Sequence, residues 1–321
     1  MDVPTRTVAT APGRAGLVGN PSDAYGGAVV AVPVRARAAT VEVRDADRIE
    51  ITGPELSDWP DVATLLHDVE RFGHEGAGRL VTASIACLAR TIGTPADDRP
   101  FRVAWTTTIP RSVGLGGSSA LVVATLRALA QRWRCPLDAD ALATLALTVE
   151  RDELGIAAGL QDRAVQAHDA TVLVDTSGST PVITPLRVER PIALLVAWDT
   201  DGAGPSHRYH GNLRARFDDG DRPVKAAMHQ LAQAARDTAS AIESGDERSL
   251  AELVDVTWRI RRSLGAVAPA QEALVDAARR AGMRATSAGS GGSIVAVVDD
   301  PDRVTAFTRQ APGASTVATT T

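Results

Sequence analysis

Residues 110–129, PRSVGLGGSSALVVATLRAL, restrict the fold more than any other stretch of the chain. A run that alternates apolar and polar residues, FRVAWTTTI (101–109), reads as a half-buried strand and ends at Pro110. An apolar-periodic run follows from about residue 118 to 133 and reads as a long helix. Between them Gly114, Gly116 and Gly117 let the backbone fold tightly and approach a ligand closely. Ser118 and Ser119 stand where the helix begins, and a helix N-terminus with its unpaired N–H groups suits a phosphate. The same residues also read as a serine-capped helix after a flexible loop. Taken alone, the segment leaves both readings open.

The cationic residues close other routes. Of 34 lysines and arginines, Lys225 is the single lysine. A P-loop requires Gly-x-x-x-x-Gly-Lys-Ser/Thr, and Lys225 sits in RPVKAAM with no glycine loop before it. Schiff-base chemistry would rest on that same residue, which lacks an apolar activating pocket in its sequence surroundings. No apolar run approaches the roughly 18 residues of a membrane helix, and MDVPTRTVAT has no apolar stretch of the secretory kind. Cys87 and Cys135 lie far apart without metal-type spacing, so they read as reduced, structural thiols of a cytoplasmic protein. A formal charge of −5, no basic run and 3% aromatic residues argue against nucleic-acid binding.

A length of 321 residues, 44% of them hydrophobic, supplies about two domains with proper cores. AVVAVPV and ATVEVRD read as strands, and residues 60–92 as helix broken by Gly73, Gly76 and Gly78. Helices are expected over about 138–152 and 157–167, and strands at 171–175 and 192–198. SGSTP (177–181) is a turn cluster and a domain boundary, giving domains 1–180 and 181–321. Three amphipathic helices, 223–243, 247–264 and 268–281, precede a strand at 293–298 and a possible edge strand in STVATTT. Strands and helices mix without strict alternation, which points to α+β.

Three further segments carry candidate chemistry. APGRAGLVGNPSDAYGGAVVAVPV (11–34) packs Arg14, Asn20, Ser22, Asp23 and Tyr25 among five glycines, as a ligand-lining loop or a solvated hairpin connection would. ATSAGSGGSIVAVV (285–298) is a glycine turn running into a strand. In TVERDELGIAAGLQDRAVQAHD (148–169), Glu150 and Asp162 lie twelve apart on consecutive predicted helices. A turn at Gly155 and Gly159 can bring both carboxylates to one pocket, where such a pair holds Mg²⁺ and accepts a hydroxyl proton. Two surface acids at helix ends are the plainer alternative.

Taken in order, these segments resemble the GHMP family of small-molecule kinases. The resemblance runs from about residue 11 to 298. GLVGNPSDAYGG, GAGRLVTASIACL (76–88), ELGIAAGLQDRAVQ (153–166) and GPSHRYHGNLRARFDDGD (204–221) are similar to plant-type glucuronokinases within it. Two stretches depart from that subgroup: Ala167-His168-Asp169 after Gln166, and Thr286-Ser287-Ala288 in the third motif.

The resemblance implies a two-domain fold. An N-terminal mixed sheet with helices is joined to a C-terminal ferredoxin-like α/β domain, with the site in the cleft between them. It implies ATP phosphates on Gly114, Leu115, Gly116, Gly117, Ser118, Ser119 and Ala120, and Mg²⁺ on Ser118 and Glu150. Asp162 takes or orients the acceptor proton beside Arg14. Asn20, Ser22, Asp23, Tyr25, Gly289 and Gly291 face the sugar. Arg163, Arg208, Arg214, His207 and His210 are further candidates for a substrate carboxylate or sugar contact. The implied reaction phosphorylates a monosaccharide hydroxyl, the anomeric one by expectation, with D-glucuronate as leading acceptor. The alternatives are a neutral-sugar 1-kinase (galactose, arabinose, fucose or heptose type) and a catalytically silent binding protein. A mevalonate-type first motif is not what NPSDAYGG resembles. Monomer and homodimer remain open.

Overall fold

The computed structural model describes residues 5–53, 56–93, 99–199, 207–265, 267–289 and 291–321, with the side chains of 207–212 outside the description. The chain forms two compact units, each discontinuous in sequence. The first comprises Met1–Pro12, Arg37–Ile109 and Gly117–His168, and the second Gly13–Ala36, Pro110–Gly116 and Asp169–Thr321. The strands β1 (Arg6–Val18) and β2 (Ala28–Asp45) each contribute to both units.

The first unit further contains β3 (Ile49–Thr52), β4 (Ser57–Trp59), α1 (Val62–Phe72), α2 (Arg79–Ile92), β5 (Phe101–Thr107), α3 (Gly117–Arg132), α4 (Ala139–Thr148) and α5 (Gln161–His168). Here β5 pairs antiparallel with the second half of β2 and parallel with β3, which pairs antiparallel with β4. The helix α3 is apolar almost all round and buried along most of its length, as befits a helix with neighbours on every side. It packs against α2, α4 and α5. Caps set the starts of α1 and α4: Asp61 accepts from the N–H of Thr64, and Asp138 from that of Ala141. The helix expected over 138–152 becomes α4 followed by a π turn, Val149–Glu153, in which Glu150 is buried. The next helix starts only at Gln161, because Gly155, at φ +62°, and the residues after it form a turn.

The second unit contains β6 (Val172–Asp175), β7 (Val182–Pro185), β8 (Ala193–Trp198), α6 (His207–Asp218), α7 (Arg222–Ser244), α8 (Glu247–Ser263), α9 (Pro269–Arg280), β9 (Arg284–Ser287), β10 (Ser293–Val297), α10 (Pro301–Gln310) and β11 (Ser315–Thr320). The first half of β2 pairs with β6, and β6 with β7. A separate antiparallel sheet runs β11-β8-β10-β9. With helices between β8 and β9 and α10 between β10 and β11, this is the split βαβ arrangement of ferredoxin-like folds. The expected α+β class is observed, with a mixed sheet accompanied by helices and a second, smaller ferredoxin-like sheet. Not anticipated were α6, α10, β4, β7 and β9, nor the extent of β1, which continues through the glycine-rich segment to Val18.

Among the described residues no helix is long and apolar enough to cross a membrane. Cys87 and Cys135 are free thiols. Burial pushes the Cys87 thiol up to about 11 and the Cys135 thiol above its usual value, which favours the protonated form of both.

The core over the ferredoxin-like sheet gathers Leu195, Ala197, Trp258, Leu274, Val275, Ile294, Ala296 and Phe307. Trp258 is the largest fully buried side chain and fixes α8 against this sheet. Trp258→Ala is expected to lower unfolding free energy by about 3–5 kcal/mol. A lower midpoint in urea titration with an unchanged slope checks it.

Candidate active site

The first unit brings two of the expected carboxylates onto one cation. Glu150, 1% exposed, sits on the π turn after α4; Asp162 sits in the first turn of α5. Arg163, 5% exposed, donates from Nε to Glu150 Oε2 at 2.6 Å, and its Nη2 reaches the same oxygen. Nη1 donates to the Gly159 carbonyl at 2.8 Å and lies 3.8 Å from Asp162 Oδ2. Burial raises the pKa of Glu150, and Arg163 opposes that shift without cancelling it. Arg163, considered in the sequence for a substrate carboxylate, is thus engaged with protein carboxylates. Arg163 is also a cation beside Asp162.

At the start of α3, Ser118 is exposed, while Ser119 and Ala120 are buried. The leading N–H groups of any helix lack intrahelical acceptors, and the helix dipole adds partial positive charge there. Glu150 and Ser118 offer hard oxygen donors, the kind Mg²⁺ takes. Among the described residues no cluster of three or more His, Cys, Asp or Glu side chains could hold a metal.

His74 and Arg90 were not anticipated. The buried His74 ring contacts Thr82 Oγ1 at 3.1 Å and Glu153 Oε2 at 3.3 Å, and Arg90 donates to both Glu153 oxygens. Together they hold the far side of the π turn that carries Glu150.

The second unit holds the other two motifs. Gly114 and Gly116 adopt φ of +84° and +69°. Val113 and Gly114 are pressed by the third motif. A Cβ on Gly289 would lie 2.3 Å from the Gly114 oxygen, and one on Gly291 would lie 2.3 Å from the Val113 carbonyl carbon. Only glycine allows that approach. Gln271, also unanticipated, clamps the turn. Its Nε2 donates to the carbonyls of Gly289 (3.0 Å), Gly291 and Ser293 (3.1 Å). Gly289 and Gly291 thus support the backbone of the 113–114 loop. Ser290 lies outside the described residues.

Arg14 is buried; its Nη1 donates to Ala288 O at 2.6 Å and Gly114 O at 3.3 Å. The first motif ends in a single 3-10 turn, Ser22–Tyr25. Ser22 is fully buried, its hydroxyl donating to Ala28 O and accepting from Ala28 N–H. That hydroxyl closes the loop. Asp23 is half-buried and its carbonyl is fixed by Thr176. The Tyr25 ring packs 4.8 Å from Phe217 and under the guanidinium of Arg214. Arg214 itself pairs with Asp218. The side chains of His207, Arg208 and His210 lie outside the described residues.

Comparison with known proteins agrees with this arrangement. The family model described as GHMP kinases N terminal domain matches residues 79–169, and GHMP kinases C terminal matches 238–314. Glucuronokinase 1 of Arabidopsis thaliana is 29% identical over 304 residues, 88% of this chain and 82% of its own. D-glycero-alpha-D-manno-heptose 7-phosphate kinase of Campylobacter jejuni is 28% identical over 165 residues, 50% of this chain and 48% of its own. The mevalonate kinase of Methanococcus jannaschii superposes with a TM-score of 0.79 at 14% identity, covering 98% of this chain and 97% of that one.

Arg163→Met would leave Glu150 buried without its counter-charge, a loss of about 3–5 kcal/mol. Because the Glu150 pKa is raised, the loss grows as pH rises through that pKa and shrinks on acidification, where the neutral acid is tolerated. Urea titrations at about pH 5 and about pH 8 test this, and Glu150→Gln in the same chain is expected to restore most of the loss.

Proposed function

We propose a sugar acceptor for this chain, which belongs to the GHMP kinase family and is a small-molecule kinase that uses ATP as phosphoryl donor. The reaction is transfer of the γ-phosphoryl group to a monosaccharide hydroxyl, the anomeric 1-OH, with D-glucuronate as leading acceptor. The observation that carries the chemistry is the pair of carboxylates, Glu150 and Asp162, on the one buried Arg163. Similarity to Glucuronokinase 1 along most of both chains supports the uronic acid.

Phosphoryl transfer depends on positioning and on neutralising charge more than on covalent chemistry. The N–H groups that open α3, with Ser118 and Ser119, receive the phosphate oxygens. Ser118 and Glu150 would hold Mg²⁺, which when bound offsets the charge on the transferring group. Asp162 accepts the hydroxyl proton as the new O–P bond forms and the bond to the β-phosphate oxygen breaks. The proton then passes to solvent as ADP leaves. Arg163 positions both carboxylates, and its charge favours the ionised form of Glu150. Asp23 and Asn20 on the first-motif loop are the sugar-side groups.

Asp162→Asn is expected to cut kcat by at least about a hundredfold with the KM for ATP little changed. Near-normal turnover would remove Asp162 from proton transfer. Glu150→Gln is expected to shift the Mg²⁺ titration to higher concentration, and an unchanged titration would exclude it from the metal site. Measuring ATP consumption with D-glucuronate, galactose, arabinose, fucose and a heptose separates the uronate reading from a neutral-sugar kinase.

A further inference from the structure

Arg261 lies on α8, one turn beyond Trp258, and is 2% exposed. Its guanidinium is anchored through one nitrogen. Nη1 donates to the Asn20 carbonyl oxygen at 3.1 Å and to Asn20 Oδ1 at 3.0 Å. Nε is buried without an acceptor. Among the described residues no carboxylate pairs with Arg261 and Nη2 donates to nothing. A buried cation without a counter-charge is strongly unfavourable. Burial, and after it the nearby charge of Arg14, bring its pKa down to about 10. The guanidinium is held in place, yet its Nε–Nη2 edge is left over. That edge presents two parallel donors, the fork on which arginine takes both oxygens of a planar carboxylate.

We propose that the Nε–Nη2 edge of Arg261 seats the carboxylate of the acceptor sugar, so that Arg261 selects a uronic acid over a neutral sugar. The bond to Asn20 places this seat at the first-motif loop, three residues before Asp23. An incoming carboxylate supplies the acceptor that Nε lacks and the negative charge missing around Arg261. The assignment rests on the sugar-acceptor reading above. A phosphate on the acceptor shares the oxyanion chemistry but is tetrahedral, and the planar fork favours the carboxylate.

The test is calorimetric titration of the full chain, with ADP present, using D-glucuronate, D-glucose 6-phosphate and D-glucose. Arg261→Met is expected to weaken D-glucuronate binding roughly tenfold or more, the scale of a lost charge-assisted contact, while D-glucose binding stays within about twofold. In turnover the KM for D-glucuronate rises by a similar factor and kcat is largely kept. Arg261→Lys keeps a cation but loses the fork, so it is expected to show the same split if the methionine variant folds poorly. Equal weakening of the acid and the neutral sugar, or no weakening, overturns the proposal. So does a wild-type chain that does not bind D-glucuronate, or a loss confined to D-glucose 6-phosphate. If the wild type binds D-glucuronate through Arg261 but does not phosphorylate it, the seat stands and the acceptor reading falls.

Discussion

The grip of Arg163 on Glu150 is the interaction on which the proposed chemistry of the first unit depends. A carboxylate as buried as Glu150 would otherwise hold its proton, and a protonated acid is a poor ligand for a hard cation. Arg163 sits in α5 directly after Asp162, so a single side chain ties the π turn to the helix that carries the proposed proton acceptor. The bond to the Gly159 carbonyl fixes the turn between them. Glu150 also continues the buried face of α4, four residues after Ala146, and the π turn that carries it is held from its far side by Glu153, His74 and Arg90.

The second unit solves a different problem, that of holding a glycine loop still. Loops rich in glycine lose more entropy on ordering than others. Here the loop at Val113 and Gly114 is braced by backbone from residues far away in sequence. The Arg14 N–H donates to the Leu115 carbonyl, the Gly16 N–H to the Ala288 carbonyl, and the Ser293 N–H to the Val113 carbonyl. Gln271 then fixes three carbonyls of the bracing turn at once. The close approach makes Gly289 and Gly291 obligatory even though neither need touch a ligand.

These contacts explain what the sequence revealed and what it concealed. The long helix after the serines, the glycine breaks in 60–92 and the three amphipathic helices near the C-terminus are set by local periodicity, and they occur nearly where periodicity puts them. A start signal was also readable for α10, where Asp300 caps a helix opening with Pro301. The end of β1 was not, since GRAGLV takes backbone partners from Leu115 and Ala288, more than a hundred and more than two hundred residues on, besides the pairing of β1 with β2. Ser22 reads as a free hydroxyl until Ala28 is seen to take it. Gln271 and Arg261 lie in ordinary amphipathic helices, and no local pattern marks a polar residue on the buried face as a clamp or an anchor.

The near-absence of lysine bears on this last point. With one lysine, buried cationic work in this chain falls to arginine. An ammonium is a point charge, and a bond that anchors it consumes the same group that would meet a ligand. A guanidinium separates the two tasks in space. Arg163 uses Nε and Nη2 for Glu150 and Nη1 for a backbone carbonyl. Arg261 uses Nη1 for Asn20 and keeps a full edge in reserve. The distinction between an arginine that only holds the fold and one that can also read a ligand is therefore visible as bonds made and bonds left open. By that measure Arg163, with its nitrogens committed to protein oxygens, is a positioning residue, while Arg261 keeps the open valences of a recognition residue.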